Sequence, residues 1–129
     1  DNHIFLCGPV RMIEAVRDLE NELNWQSGNI HFESFGLSHT TNDSEFEVKL
    51  NKSSQFIKVK PTQTLLDALL NAKVTVPFDC KRGECGLCST TIIDGEVDHR
   101  DVYLNKLERK QQMCVCVSRA KGKKLTLDL

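Results

Sequence analysis

The sequence has no apolar run approaching the roughly 18 residues that a membrane-spanning helix needs, so no membrane association is expected. It opens Asp1-Asn2-His3-Ile4-Phe5-Leu6, without an initiator methionine and without the basic start and long apolar core of an export signal. A start inside a longer protein and a cytoplasmic location are the expectations. Neither sign of charge is in excess: 17 basic against 18 acidic side chains give a formal net charge of -1, which argues against general nucleic-acid binding. Only three prolines occur, and Pro9, Pro61 and Pro77 each stand where a segment ends or begins. There is no internal repeat and no low-complexity tract.

Cysteine, by contrast, is plentiful. Six cysteines in a chain without an export signal point to metal or redox roles before disulfides. Cys7 stands alone, whereas Cys80, Cys85 and Cys88 form one group and Cys114 and Cys116 another. Charge is also unevenly spread. Residues 1–43 carry two basic and seven acidic side chains, net -5, while residues 44–129 carry 15 basic and 11 acidic, net +4. Opposite signs suggest two units of different origin.

The first unit reads strand, helix, strand. Ile4-Phe5-Leu6-Cys7 ends at the turn signal Gly8-Pro9. Met12, Val16, Leu19 and Leu23 then fall on one helical face, and Ile30 to Phe35 alternates as a strand does. One helix covers one face of a parallel pair, and both faces need cover. Residues 1–35 are therefore expected to be the β-α-β tail of a larger α/β domain, with Trp25 in a loop. The small, polar residues 36–43 read as a linker.

In residues 44–129, Phe46 and Val48 start one strand, Asn51 to Ser54 turn the chain, and Phe56 to Val59 return. Thr64 with Asp67 is a capping-box-like helix start, and Leu65 to Ala72 gives a broad apolar helix face. Asp94-Gly95 between Thr90-Thr91-Ile92-Ile93 and Glu96-Val97 predicts a hairpin. Residues 104–112 predict a short helix, and Met113–Val117 and Leu125–Leu129 predict closing strands. One helix against short, mainly antiparallel strands is an α+β fold of the β-grasp kind.

The segment Cys80-Lys81-Arg82-Gly83-Glu84-Cys85-Gly86-Leu87-Cys88 carries C-x4-C-x2-C, with a further cysteine 25 (Cys114) or 27 (Cys116) residues on. This is the plant-type [2Fe–2S] spacing, in which thiolates hold two irons. A loop curling round such a cluster must aim backbone N–H groups at sulfur. Gly83 and Gly86 sit where the required turns would fall, since glycine adopts them at little steric cost. A zinc site would pair its ligands differently, and no histidine neighbours either group. Successive strand side chains alternate, so Cys114 and Cys116 would share a face, and direction alone leaves the fourth ligand open.

The loop matches the plant-type ferredoxin pattern at its three cysteines and both glycines. Asp98-His99-Arg100-Asp101 and Cys116-Val117-Ser118-Arg119 resemble the ferredoxin domain of the phthalate dioxygenase reductase and vanillate O-demethylase reductase family. Cys7-Gly8-Pro9 is similar to the motif ending the nicotinamide-binding domain of ferredoxin-NADP reductase-like enzymes, and Glu33-Ser34-Phe35 to that domain's closing aromatic segment. The resemblance implies a domain order of flavin, NADH and ferredoxin, of which this chain matches the last part. It implies hydride transfer from NADH to FMN, then single electrons through the cluster to a Rieske oxygenase component. It makes Cys116 the fourth ligand, because the family's last ligand directly precedes Val-Ser-Arg. It places Cys7, with Gly8 and Pro9, near the nicotinamide, and Phe35 on the flavin.

The family's R-x-Y-S flavin motif and glycine-rich pyrophosphate turn have no match here. FMN and NADH are therefore expected only in the intact enzyme, and this chain by itself is not expected to oxidise NADH. Lys81 and Arg82, on the cluster loop, are candidates for steering a partner. His3, His31, His39 and His99 share no spacing, so surface or hydrogen-bonding roles are expected of them. A stand-alone ferredoxin and a structural zinc module are the competing readings.

Overall fold

The computed structural model describes residues 2–25, 29–34 and 42–129. The chain divides into two compact units, Asp1–Phe35 and Gly36–Leu129. Phe35 and residues 36–41 of the expected linker, His39 among them, lie outside the described residues.

In the first unit, β1 (Ile4–Gly8) and β2 (Ile30–Ser34) pair in parallel, Ile4 against Ile30 through Gly8 against Ser34. The helix α1 (Val10–Glu22) connects them. Pro9 begins the helix, where its missing N–H is no loss, and its carbonyl accepts from the N–H groups of Met12 (3.0 Å) and Ile13 (3.3 Å). The parallel β-α-β unit is as expected, but the covered helix face is not. Ile13 is fully buried, whereas Met12, Leu19 and Leu23 are exposed. Met12 still reaches β1, its Cε lying where a side chain at Gly8 would stand. Arg17 lies over the Phe32 ring at 5.6 Å.

The second unit is built on a five-stranded sheet. Its strands are β3 (Phe46–Leu50), β4 (Gln55–Val59), β5 (Ser89–Asp94), β7 (Gln112–Cys114) and β9 (Lys124–Leu127), in the order β4-β3-β9-β5-β7. The β3–β9 pair is parallel and the other pairs are antiparallel. The helix α2 (Leu65–Asn71) packs Leu65, Leu66, Ala68 and Leu69 into the core with Val48, Val59, Met113, Leu125 and Leu127. Burial of side chains like these is worth about 1.5–3 kcal/mol each. Thr64 Oγ1 accepts the Asp67 N–H at 3.0 Å, so the helix start is capped as expected. This is the α+β, β-grasp architecture.

Three local expectations are corrected. Asp94-Gly95 does reverse the chain, with Gly95 at φ 101°, but the flanking strands do not pair. Instead β6 (Val97–Asp98) joins β8 (Arg119–Ala120) in a separate ribbon. A side chain at Gly95 would meet the Lys124 carbonyl at 2.7 Å, so the glycine permits this close approach to β9. The second correction is at the closing strand, which stops at Cys114 and becomes a turn over residues 115–117. The third is the short helix near residue 108, which is a single 3-10 turn, Glu108–Lys110.

Candidate metal centre

The loop from Cys80 to Cys88 contains no regular element, and its shape follows from three left-handed residues: Lys81 (φ 55°), Gly83 (φ 73°) and Gly86 (φ 71°). Glycine takes this conformation freely, whereas lysine does so at a cost. The Lys81 ammonium lies 5.0 Å over the Phe78 ring, a cation–π contact that offsets part of that cost. Both glycines are also required by close approach. A Cβ at Gly83 would lie 2.8 Å from Asp101 Cα and 2.8 Å from Val117 Cγ2, and one at Gly86 would overlap the Tyr103 ring at 2.1 Å.

This shape aims the loop's amides at its sulfurs. The N–H groups of Arg82 (3.3 Å), Glu84 (3.4 Å) and Cys85 (3.4 Å) donate to Cys80 Sγ, and that of Leu87 donates to Cys85 Sγ (3.5 Å). Burial raises the Cys80 thiol pKa, but the three amides and the Cys85 side chain outweigh it and leave it lowered. Such a nest stabilises thiolate rather than thiol.

The thiols divide into two sets. Cys80 and Cys85 hydrogen-bond each other at the outer end of the loop, where Cys85 is exposed. Cys88 is buried and reaches the thiols of Cys114 and Cys116, which lower its pKa to about 3. Shared protons raise the Cys114 and Cys116 thiols correspondingly. Among the described residues, no three His, Cys, Asp or Glu side chains converge to hold a single metal ion.

Cys114 and Cys116 sit in different surroundings, because only Cys114 is in a strand. At the end of β7 it pairs with Ser89 of β5 and places its sulfur 3.8 Å from Ser89 Oγ. Cys116, in the following turn, has its sulfur on the Gly83 amide and feels the charge of Cys80. The expectation that the two share a strand face is thus overturned. The turn brings Cys116 onto the cysteine loop.

Of the remaining candidates, Arg82 is 3.3 Å from Glu84. Cys7 is exposed, faces Glu33 in the strand register, and shares an open cleft with Phe5, Leu6, His31 and Phe32. Gly8 is buried, where a side chain would strike Met12 Cε at 2.3 Å. The histidines bring one surprise. His3 Nδ1 and His31 Nε2 lie 3.1 Å apart with rings stacked, and Phe5 stacks on His31. A period-two register between distant strands makes this pair, and no spacing within the sequence could.

Sequence reasoning missed Asp101, which is fully buried beside the loop, and Arg119, which is 3% exposed. Arg119 donates to the carbonyls of Gln63 (2.6 Å), Lys60 (3.0 Å) and Ser44 (3.2 Å). The signal in the sequence for Asp101 and Arg119 was their place in the two family-like motifs, which the structure makes partners. Asp98 pairs with Arg119 across β6 and β8, and the Arg100 N–H donates to Ser118 Oγ at 3.0 Å.

The profile of the 2Fe-2S iron-sulfur cluster binding domain matches residues 48–121, more than half of the chain. The chain belongs to this 2Fe-2S family. It is 41% identical to phthalate dioxygenase reductase of Burkholderia cepacia, over 98% of this chain and 39% of that protein. It is 44% identical to the carnitine monooxygenase reductase subunit of Acinetobacter pittii, over 98% of this chain and 42% of that protein. The chain thus spans about two fifths of the length of these relatives. The solved structure of phthalate dioxygenase reductase, a modular structure for electron transfer from pyridine nucleotides to [2Fe–2S], superposes with a TM-score of 0.74 over 98% of this chain and 40% of that one. The ferredoxin domain of NdmD, solved with NdmA of Pseudomonas putida CBB5, is 40% identical with a TM-score of 0.63, over 67% of this chain and all of that one. The family resemblance read from the motifs, the α+β fold and the [2Fe–2S] cofactor are all borne out. Among the described residues, no helix is long and apolar enough to cross a membrane.

Proposed function

We propose that this chain passes single electrons through a [2Fe–2S] cluster held by Cys80, Cys85, Cys88 and Cys116. The observation that carries the reading is the division of the thiols into two sets under a nest of amides. A two-iron cluster takes two ligands at each iron, whereas zinc needs its ligands to converge on one point. Cys80 with Cys85, and Cys88 with Cys116, supply the two pairs. The cluster would bring reversible one-electron chemistry, and the chain brings thiolate stabilisation, amide donors and exclusion of water from the inner pair.

In the intact protein, electrons would come from NADH through an FMN domain and go to an oxygenase component. The reductase relatives support this. On this reading residues 1–35 are the end of the NADH-binding domain, with Cys7, Gly8 and Pro9 near the nicotinamide and Phe35 against the flavin. Residues 36–43 are the connection and residues 44–129 the ferredoxin domain. Lys81 and Arg82, at the outer end of the loop, would meet the acceptor.

The test is reconstitution of the chain with iron and sulfide under anaerobic conditions. A red-brown product with two irons and two sulfides per chain, EPR-active after one-electron reduction, is expected. A colourless chain that takes up one zinc instead would overturn the reading.

A further inference from the structure

Asp101 is a buried charge set directly against the cysteine loop. Its backbone fixes Gly83: the neighbouring Val102 N–H donates to the Gly83 carbonyl at 2.9 Å, and the Gly83 N–H points at the Cys116 sulfur. Its side chain is fully buried. Oδ2 accepts the Leu104 N–H at 2.7 Å, which caps the turn. Capping needs only an acceptor, and a neutral side chain could supply one. The carboxyl is nevertheless held ionised. Burial pushes its pKa up, but His99, the Leu104 amide and Arg109 outweigh it and leave it lowered.

Its charge is incompletely answered. Oδ1 faces His99 Nδ1 at 3.7 Å and Arg109 Nη2 at 3.9 Å, beyond hydrogen-bond length. Arg109 is fixed by its 2.6 Å bond to the Asp101 carbonyl, and His99 Nε2 lies 3.0 Å from the Arg109 carbonyl. Asp101 stands directly on the cysteine loop, its Cα and Cβ 2.8 and 3.1 Å from where a Gly83 side chain would be.

We propose that Asp101 and Arg109 are an opposed charge pair that sets the reduction potential of the cluster, the carboxylate lowering it and the guanidinium raising it. The inference rests on the cluster assignment above. An electron added near a fixed negative charge in a weakly polarisable interior is disfavoured, and one near a positive charge is favoured. Asp101 has no contact with solvent, whereas the Arg109 side chain is 23% exposed, so water and salt screen Arg109 more. Neither residue is a ligand, and both act as positioning residues.

The experiment is a redox titration of the reconstituted full chain and of Asp101→Asn, Arg109→Gln and Arg109→Lys, with the EPR spectrum of each reduced form as a check on the cluster. The expected result is an upward shift for Asp101→Asn, a smaller downward shift for Arg109→Gln, and a parental potential for Arg109→Lys. Shifts of the same sign in the Asn and Gln variants, or none in either, would overturn the proposal. Should Asp101→Asn fail to hold a cluster, the Arg109 pair decides. A potential lowered in Gln and restored in Lys supports the pair, and equal potentials refute it. Failure of the parent chain to take up a cluster would sink the functional reading itself, a different and recognisable result.

Discussion

The carboxylate of Asp43 is gripped by both terminal nitrogens of Arg100, Nη2 to Oδ1 at 2.7 Å and Nη1 to Oδ2 at 3.1 Å. Arg119 Nε approaches the same carboxylate at 3.8 Å, and the Asp43 side chain is only 3% exposed. Such bidentate pairs are strong and geometrically selective. Asp43, counted in the linker by composition, is therefore a working part of the second unit's fold.

Removing that carboxylate would leave Asp98, which accepts from Arg100 at 2.9 and 3.1 Å, as the remaining counter-charge to two neighbouring guanidinium groups. Asp43→Asn is expected to destabilise the cluster-loaded chain by about 2 kcal/mol or more, measured as a lowered urea midpoint. A change below about 0.5 kcal/mol would show that the pair is no stronger than an ordinary surface ion pair.

The two late cysteines separate cleanly by substitution. Cys116→Ser is expected to lose or grossly alter the visible and EPR spectra of the cluster. Cys114→Ala should keep both spectra, with a stability loss of roughly 1–2 kcal/mol from the small cavity in the core. The reverse pattern would falsify the assignment and make Cys114 the ligand.

The glycines should rank by what they face. Gly83→Ala meets backbone at Asp101 and needs φ 73°, so it is expected to abolish cluster uptake. Gly86→Ala strikes a tyrosine ring, which can turn aside, and should take up cluster with reduced yield. Gly122→Ala, with nothing within 4 Å, should be silent. Iron content after reconstitution reads all three, and equal loss in all would remove the steric explanation.

Acid stability follows from Asp101. Its folded pKa is lowered below its ordinary value, by His99, Leu104 N–H and Arg109 against the opposing effect of burial. The stabilisation it contributes is therefore complete above the unfolded carboxyl value of about 3.9 and is lost as pH falls through the lower folded value. Urea midpoints should drop less steeply below about pH 4 in Asp101→Asn than in the parent chain. Identical slopes would mean that Asp101 is not ionised in the folded state.

The cysteine spacing, both loop glycines, the Thr64 cap and the β-α-β order of the first unit were legible in the sequence, because each is a local pattern: a ligand interval, a permitted φ, a cap three residues from its amide. What sequence could not decide was set by contacts between distant segments. Asp94-Gly95 reads as a hairpin, yet Val97–Asp98 pairs with Arg119–Ala120, and in α1 the fully buried residue is Ile13, outside the Met12-Val16-Leu19-Leu23 stripe. Cys114 and Cys116 look equivalent at a separation of two residues. The ladder from β5 ends at Cys114, and the released turn carries only Cys116 to the Gly83 amide. Asp43 reads as part of a linker in the sequence, and Asp101 and Arg119 only as members of two family-like motifs. Burial decides their roles, and burial is a property of the packed chain, since a charge taken out of water must find its partner wherever the fold has brought one.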